Sequence, residues 1–253
     1  MKQLITILLL SFQTLVYAQD IKTSEFTRGI GKYDVSDLWT LERFPIEYGA
    51  TTVERSGPLG YIGDNYQRFY IHFISAIQNP QNPLEYFIYG KTRVKENICS
   101  FQGTIVITQS RTYDEGDIPE LKQGVVMGVY EFYEDPDQKG TGILKGKFQS
   151  DFYIDKDNKI KYDAIAFVAD GFQNNQFEGT WTGYRSSNPK KCNWGDYRIP
   201  DSEDFDMGAG EFSPDDKYLK NGWENYSLAW GYPPERADVK EAMQKEKARW
   251  WAE

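Results

Sequence analysis

Histidine is nearly absent from this 253-residue chain, with His72 its single example. A Ser-His-Asp or Cys-His arrangement would have to use it, and a metal site of several histidines is excluded. His72 itself reads as a wall or core residue of a strand, with a functional histidine as the sharper alternative. Cysteine is almost as scarce, with Cys99 and Cys192 alone, so no Cys-x-x-Cys motif exists. There is no glycine-rich phosphate loop and no nucleophile elbow, and Gly208-Ala209-Gly210 is too short to substitute for one. No cofactor is implied. Basic residues are outnumbered, 29 Lys and Arg against 38 Asp and Glu, for a net charge of −9. Such a surface repels phosphate backbones and carries no basic stripe, which argues against nucleic acid and anionic membranes as partners. After the first 18 residues no apolar run reaches the ~20 residues of a spanning helix, so no transmembrane segment is expected.

What is present begins with an export signal. Lys2 supplies the positive start, residues 4–16 the apolar stretch, and Val16-Tyr17-Ala18 a cleavage site before Gln19. The apolar stretch is broken by Ser11, Gln13 and Thr14, which favours a cleaved signal over an anchor. The expected location is periplasmic or extracellular. In such an oxidising compartment an isolated cysteine pair is expected to form a disulfide, here Cys99–Cys192. Closing so long a loop would stabilise the fold by about 4–5 kcal/mol.

The middle of the chain alternates with the period of two that marks half-buried strands. Leu144, Gly146, Phe148, Phe152 and Ile154 share one face of residues 142–154, while Lys145, Lys147, Gln149, Asp151 and Tyr153 share the other. Residues 101–108 and 176–184 repeat the pattern. Further strands, with less distinct faces, are expected at 67–77, 85–94, 125–134 and 159–169, which are rich in β-branched and aromatic residues. Turns fall at 95–97, 155–158 and 174–175, and longer loops at 79–83 and 113–123. Asp155, Asp157 and Asn158 could touch a cation, but a turn explains them. Seven or eight successive antiparallel strands predict an up-and-down meander, mainly β, closed into a barrel that removes its edges.

From Asn188 onward the alternation fades. Ser213-Pro214-Asp215-Asp216 predicts a helix start and Asn221-Gly222 its stop. A second helix is expected over about 237–251. The chain thus divides into a signal (1–18), a segment leading into the barrel (19–60), the barrel (61–200) and a C-terminal extension with two short helices packing on it (201–253).

Three stretches carry a resemblance: residues 60–73 (GYIGDNYQRFYIHF), 89–99 (YGKTRVKENIC) and 192–200 (CNWGDYRIP). Over roughly residues 55–225 the chain resembles a group of uncharacterised secreted proteins of Gram-negative bacteria, for which no activity is implied. Through Gly179-Thr180-Trp181 it more loosely resembles calycin-type barrels, the lipocalins and avidins. Those carry their Gly-x-Trp near the first barrel strand and this chain carries it on a late one, so the resemblance implies a lipocalin-like architecture and no ligand.

Two sets of side chains are candidates for function. Six of the seven tryptophans lie at or after position 181. Exposed Trp and Tyr give a rigid, amphipathic contact area, which makes Trp181, Trp194, Tyr197 and Trp223 candidates for binding; packing onto the barrel wall is the plain alternative. Asp201, Glu203, Asp204 and Asp206 form the core of an acidic stretch that could ligate a cation, although its spacing is not that of an EF-hand. A solvated loop is the preferred explanation, and a pair of these acids acting on a sugar is a third possibility. The function expected is non-catalytic binding of a small apolar ligand, a glycan or an envelope protein. The alternatives are a carboxylate-dependent glycan hydrolase and a structural envelope protein.

Overall fold

The computed structural model describes residues 22–46 and 51–252; the expected signal lies outside the described residues. These form β1 (Thr23–Glu25), α1 (Thr27–Ile30), α2 (Asp37–Thr40), β2 (Arg43–Ile46), β3 (Thr51–Glu54), β4 (Leu59–Ile62), β5 (Gln67–Arg68), β6 (Tyr70–Asn79), β7 (Asn82–Val94), β8 (Asn97–Tyr113), β9 (Lys122–Glu134), β10 (Gly142–Ile154), β11 (Ile160–Tyr162), β12 (Asn174–Gly183), β13 (Lys190–Asp196), α3 (Glu224–Ala229) and α4 (Ala237–Glu246).

Eleven strands make an antiparallel sheet in the order β5-β4-β13-β12-β10-β9-β8-β7-β6, with β1 added to β8 and β11 to β10, while β2 and β3 pair with each other. The expected meander is there: β6 to β10 pair in sequence order. The expected closure is not, because the sheet curls into a half-barrel. Gln67 and Arg68 pair with β4, and from Tyr70 onward the same stretch pairs with β7. One run of chain therefore supplies both ends of the sheet order, and it pairs with β4 over only two residues. Phe69 N–H donating to Gly60 O (2.9 Å) is the corner joint.

The concave side is full. Phe148 stacks on Phe177 (5.4 Å between ring centres) and Phe177 on Trp194 (5.0 Å), with Tyr130 edge-on to Trp194 (5.1 Å). Rings of this size bury 150–250 Å² each, so a few of them fill a space that a hollow barrel would leave open. The Tyr130 hydroxyl reaches so close to β10 and β12 that a Cβ at Gly146 or Gly179 would lie 2.8 or 2.4 Å from it. The Gly179 of the Gly-Thr-Trp stretch is thus explained by packing.

Residues 26–46 complete this core. Trp39, 2% exposed, meets Tyr86 and Phe148 edge-on, and its indole N–H donates to Ser150 Oγ (3.0 Å). Ile30, Val35, Leu38 and Phe44 are buried beside it. Arg55 locks the segment down. Its guanidinium pairs two-pronged with Asp196 (Nε–Oδ2 3.0 Å, Nη2–Oδ1 2.9 Å) and donates through Nη1 to the Trp39 carbonyl (2.9 Å). Asp196 also accepts from Tyr162 OH (2.9 Å) and Asn175 Nδ2 (2.8 Å), and Asn175 donates again to Leu38 O (2.7 Å).

A second, smaller core lies on the convex side of β4. Leu59 and Tyr61 pack there with Tyr66, Ile199, Phe205, Phe212 and Trp223. The expected helix at 213–222 is a 3-10 turn, Asp216–Asn221, capped by Asp215, whose carboxylate accepts from Lys217 N–H, and stopped by Gly222 at φ 96°. Ser213 is not the cap because the helical turn begins only at Asp216; its backbone N–H donates instead to Asp206 Oδ1 (3.1 Å).

The expected disulfide is absent: Cys99 and Cys192 are free and buried. They sit on β8 and β13, with β9, β12 and β10 between them. Along the sheet the two cysteines are four strands apart, so no strand pairing sets them side by side.

Arg55→Met should lower the unfolding free energy by about 3–5 kcal/mol, because it leaves Asp196 charged and buried. Lys145→Met, which removes one partner of an exposed pair, should cost no more than about 1 kcal/mol. Urea denaturation of the two variants tests the contrast.

Candidate functional site

Sheet geometry brings four connections to one end of the half-barrel: β4–β5, β7–β8, β9–β10 and β12–β13. Between them opens a cavity of about 720 Å³. Its inner wall is apolar, with Ile62, Phe69, Val94 and the Trp181 ring. Its mouth is polar, with Asp64, Asn65, Lys95, Asn97 and Lys190.

Glu134 forms the floor. It is the last residue of β9 and, like Phe132 two residues earlier, points inward, to 3% exposure. Oε1 accepts from Thr92 Oγ1 of β7. Oε2 accepts from Gly142 N–H of β10 (2.9 Å) and the Trp181 indole of β12 (2.9 Å). One carboxylate so joins four strands at the floor of the cavity. No cation pairs with it among the described residues. Burial lifts its pKa above the usual carboxylate value, and the Thr92, Trp181 and Gly142 donors pull against that lift without cancelling it.

Trp181 is the aromatic platform. Its N–H is anchored on Glu134, and Lys190 Nζ stands 5.6 Å from its ring centre. Gly183 gives the ring room, since a Cβ there would meet the indole at 2.9 Å. Cys99 also lines the cavity and accepts at Sγ from Asn97 Nδ2 (3.1 Å). Burial, and then Glu134, push its thiol up to about 11, so at neutral pH it is a protonated, weakly reactive wall group.

The other residues expected to bind lie elsewhere. Trp194 and Trp223 are fully buried, the first in the main core and the second in the smaller one. Tyr197 packs among Phe44, Phe167 and Phe172. Of the four expected aromatics, Trp181 alone reaches the cavity. The acids at 201–206 are drawn to three different cations. Asp201 and Glu203 meet Lys191 (2.8 and 3.3 Å), Asp204 meets Lys217 (2.6 Å), and Asp206 meets Arg198 (2.6 Å). Among the described residues no three Asp, Glu, His or Cys side chains converge to hold a metal ion. Asp155, Asp157 and Asn158 make a turn, with Asp155 Oδ1 accepting from the N–H of Asp157 (3.0 Å) and of Lys159 (2.9 Å). His72 stacks on Trp251 (3.9 Å, 16° between planes), and burial together with Arg55 and Arg249 lowers its pKa to about 4.

Sequence reasoning missed Glu134 and Thr92. Each sits on the inward phase of a strand otherwise apolar on that face, and a polar residue in that phase was the available signal.

No known family model, no curated protein and no solved structure matches this chain. No described helix is long and apolar enough to cross a membrane.

Two measurements probe the mouth. Because Glu134 titrates higher folded than unfolded, the unfolded chain releases the proton first. Relative to Glu134→Gln, the wild type should therefore lose stability as pH rises from about 4.5, until the folded carboxyl is fully ionised. Denaturation curves of both proteins across pH 4–8 read the difference. Thiol titration with Ellman's reagent should find neither cysteine in the native protein and both in denaturant.

Proposed function

We propose that this chain is an exported, non-catalytic binding protein whose ligand, a neutral hydroxylated molecule of the sugar class, sits in the cavity above Glu134. The observation that carries this reading is the pairing of Trp181 with Glu134 in one cavity: a flat apolar face beside a fixed acceptor. A pyranose presents one apolar face to an indole and its hydroxyls to acceptors and carboxamides. Asn65, Asn97 and Gln67 supply those carboxamides around the mouth. The volume falls in the 300–1,000 Å³ range of small-molecule sites. An apolar cargo inside the barrel is disfavoured by the ring packing of the concave side.

Binding is preferred to hydrolysis for a geometric reason. A glycosidase needs two carboxyl groups facing each other across the sugar. Glu134 receives two donors at Oε2 and one at Oε1, which leaves a single acceptor position for a ligand hydroxyl, and the other carboxylate of the lining, Asp64, is an exposed rim residue. Export rests on residues 1–18 alone, and the group of secreted proteins resembled over residues 55–225 fits that compartment.

Isothermal titration with maltose, cellobiose and N,N′-diacetylchitobiose tests the reading. At least one should bind saturably, and Trp181→Ala should weaken it tenfold or more, about 1.4 kcal/mol. No saturable binding by any of the three, or equal binding by Trp181→Ala, would count against the cavity as the site.

A further inference from the structure

The convex face of β5–β7, away from the cavity, holds two arginines in an unusual state. Arg68 is 3% exposed. Its guanidinium lies 4.0 Å from the Trp223 ring centre, 4.7 Å from Tyr70 and 5.2 Å from Tyr226. Arg93 lies 3.9 Å from the Tyr70 ring and 5.2 Å from Trp250. Tyr70 therefore contacts both guanidinium groups.

Stacking uses the flat faces of a guanidinium and leaves its five N–H groups in the plane, arranged to meet a carboxylate at two points. Arg68 meets one at a single point, Nη2 to Glu246 Oε2 (3.1 Å). Its Nε and Nη1 are buried with no acceptor, and so is Arg93 Nε. A buried donor without an acceptor is a standing cost. The present partner of these arginines is a poor fit to them.

That partner is the end of the chain. Glu246 closes α4, and the following turn places Trp250 on Tyr70 (6.0 Å) and Trp251 on His72 (3.9 Å). Arg249 adds an exposed pair with Glu42 (2.6 Å). Among the described residues this segment joins no strand of the sheet. It is reached through a surface stretch in which Trp230 and Tyr232 stand 73% and 86% exposed. Side-chain contacts alone hold it to the sheet, with Val239 and Ala242 buried on α4, and the charged one, Arg68–Glu246, is under-satisfied.

We infer that Arg68, Arg93 and Tyr70 form a binding site for an aromatic carboxylate, and that residues 237–252 are its built-in occupant. Glu246 stands where the ligand's carboxylate binds and Trp250 where its ring lies. A free ligand can turn its carboxylate to meet the fork at two points, which Glu246, fixed at the end of a helix, does not. The segment acts as a strap that such a ligand displaces. This site is separate from the Trp181 cavity and does not rest on the sugar-binding reading.

Indole-3-acetate carries one carboxylate and one indole, the two groups the strap contributes, and indole-3-acetamide is its uncharged counterpart. Both are titrated calorimetrically into the full-length protein and into Glu246→Gln, with thermal melts to establish folding. The acid should bind Glu246→Gln at least five-fold more tightly than wild type, and the amide should bind neither. Adding the acid to wild type should also speed tryptic cleavage at Lys245 and Lys247 as the strap lifts. Arg93→Gln in the Glu246→Gln background should abolish acid binding while leaving sugar binding at Trp181 unchanged. Equal binding of acid and amide, no binding to either protein, or a lowered melting point in Glu246→Gln without tighter binding would overturn the inference and leave the Arg68–Glu246 pair a purely structural contact.

Discussion

The buried pair between Arg55 and Asp196 is the contact on which the rest of the molecule depends. An ion pair taken out of water recovers its desolvation only when the geometry is good and every remaining donor and acceptor is filled. Here the fork is two-pronged, and the spare lone pairs and protons go to Tyr162, Asn175 and the Trp39 and Leu41 carbonyls. The pair fixes residues 26–46 against the sheet. That segment in turn supplies Trp39, Leu38 and Phe44 to a concave face that would otherwise be wet. With the middle of the half-barrel filled in this way, the open space of the molecule is confined to its end, where Glu134 and Trp181 stand.

Glu134 makes a smaller, complementary use of the same physics. It has no cation, and three neutral donors hold it between β7, β9, β10 and β12. The arrangement fixes the edge of the Trp181 ring while leaving ring surface toward the cavity. The two acidic centres thus divide the work: Asp196 is charge-compensated and closes the core, whereas Glu134 is only hydrogen-bonded and shapes a mouth.

The strands with one dry and one wet face were legible in the sequence. The expected bounds of β10 are those observed, and β7, β8, β9 and β12 were found with errors only at their ends. What escaped was structure without that contrast. β4 is buried on both faces because the small aromatic core covers its convex side, and β13 reads as buried through its last five residues. Neither alternates, so neither announced itself. The stretch at 159–169 has strand-like composition, yet β11 stops at Tyr162, where Asp163 turns its carboxylate back to the Ile165 N–H (3.0 Å). The tryptophans misled for a related reason: amphipathic rings suit an interior as well as a surface, and only the fold decides which. The acidic stretch looked like a shared ligand set because sequence does not show Lys191, Arg198 and Lys217 arriving among its members.

The Arg55–Asp196 pair also spans 141 residues of chain, and the Trp39–Ser150 hydrogen bond spans 111. Contacts so distant in sequence close late and slow folding. A ribosome adding about 5–20 residues per second takes on the order of ten seconds or more to reach Asp196. Throughout that interval residues 26–46 can meet Tyr86, Phe148 and Ser150 but lack the Arg55–Asp196 lock. The last lock on residues 26–46 can therefore close only after about three-quarters of the chain has been made.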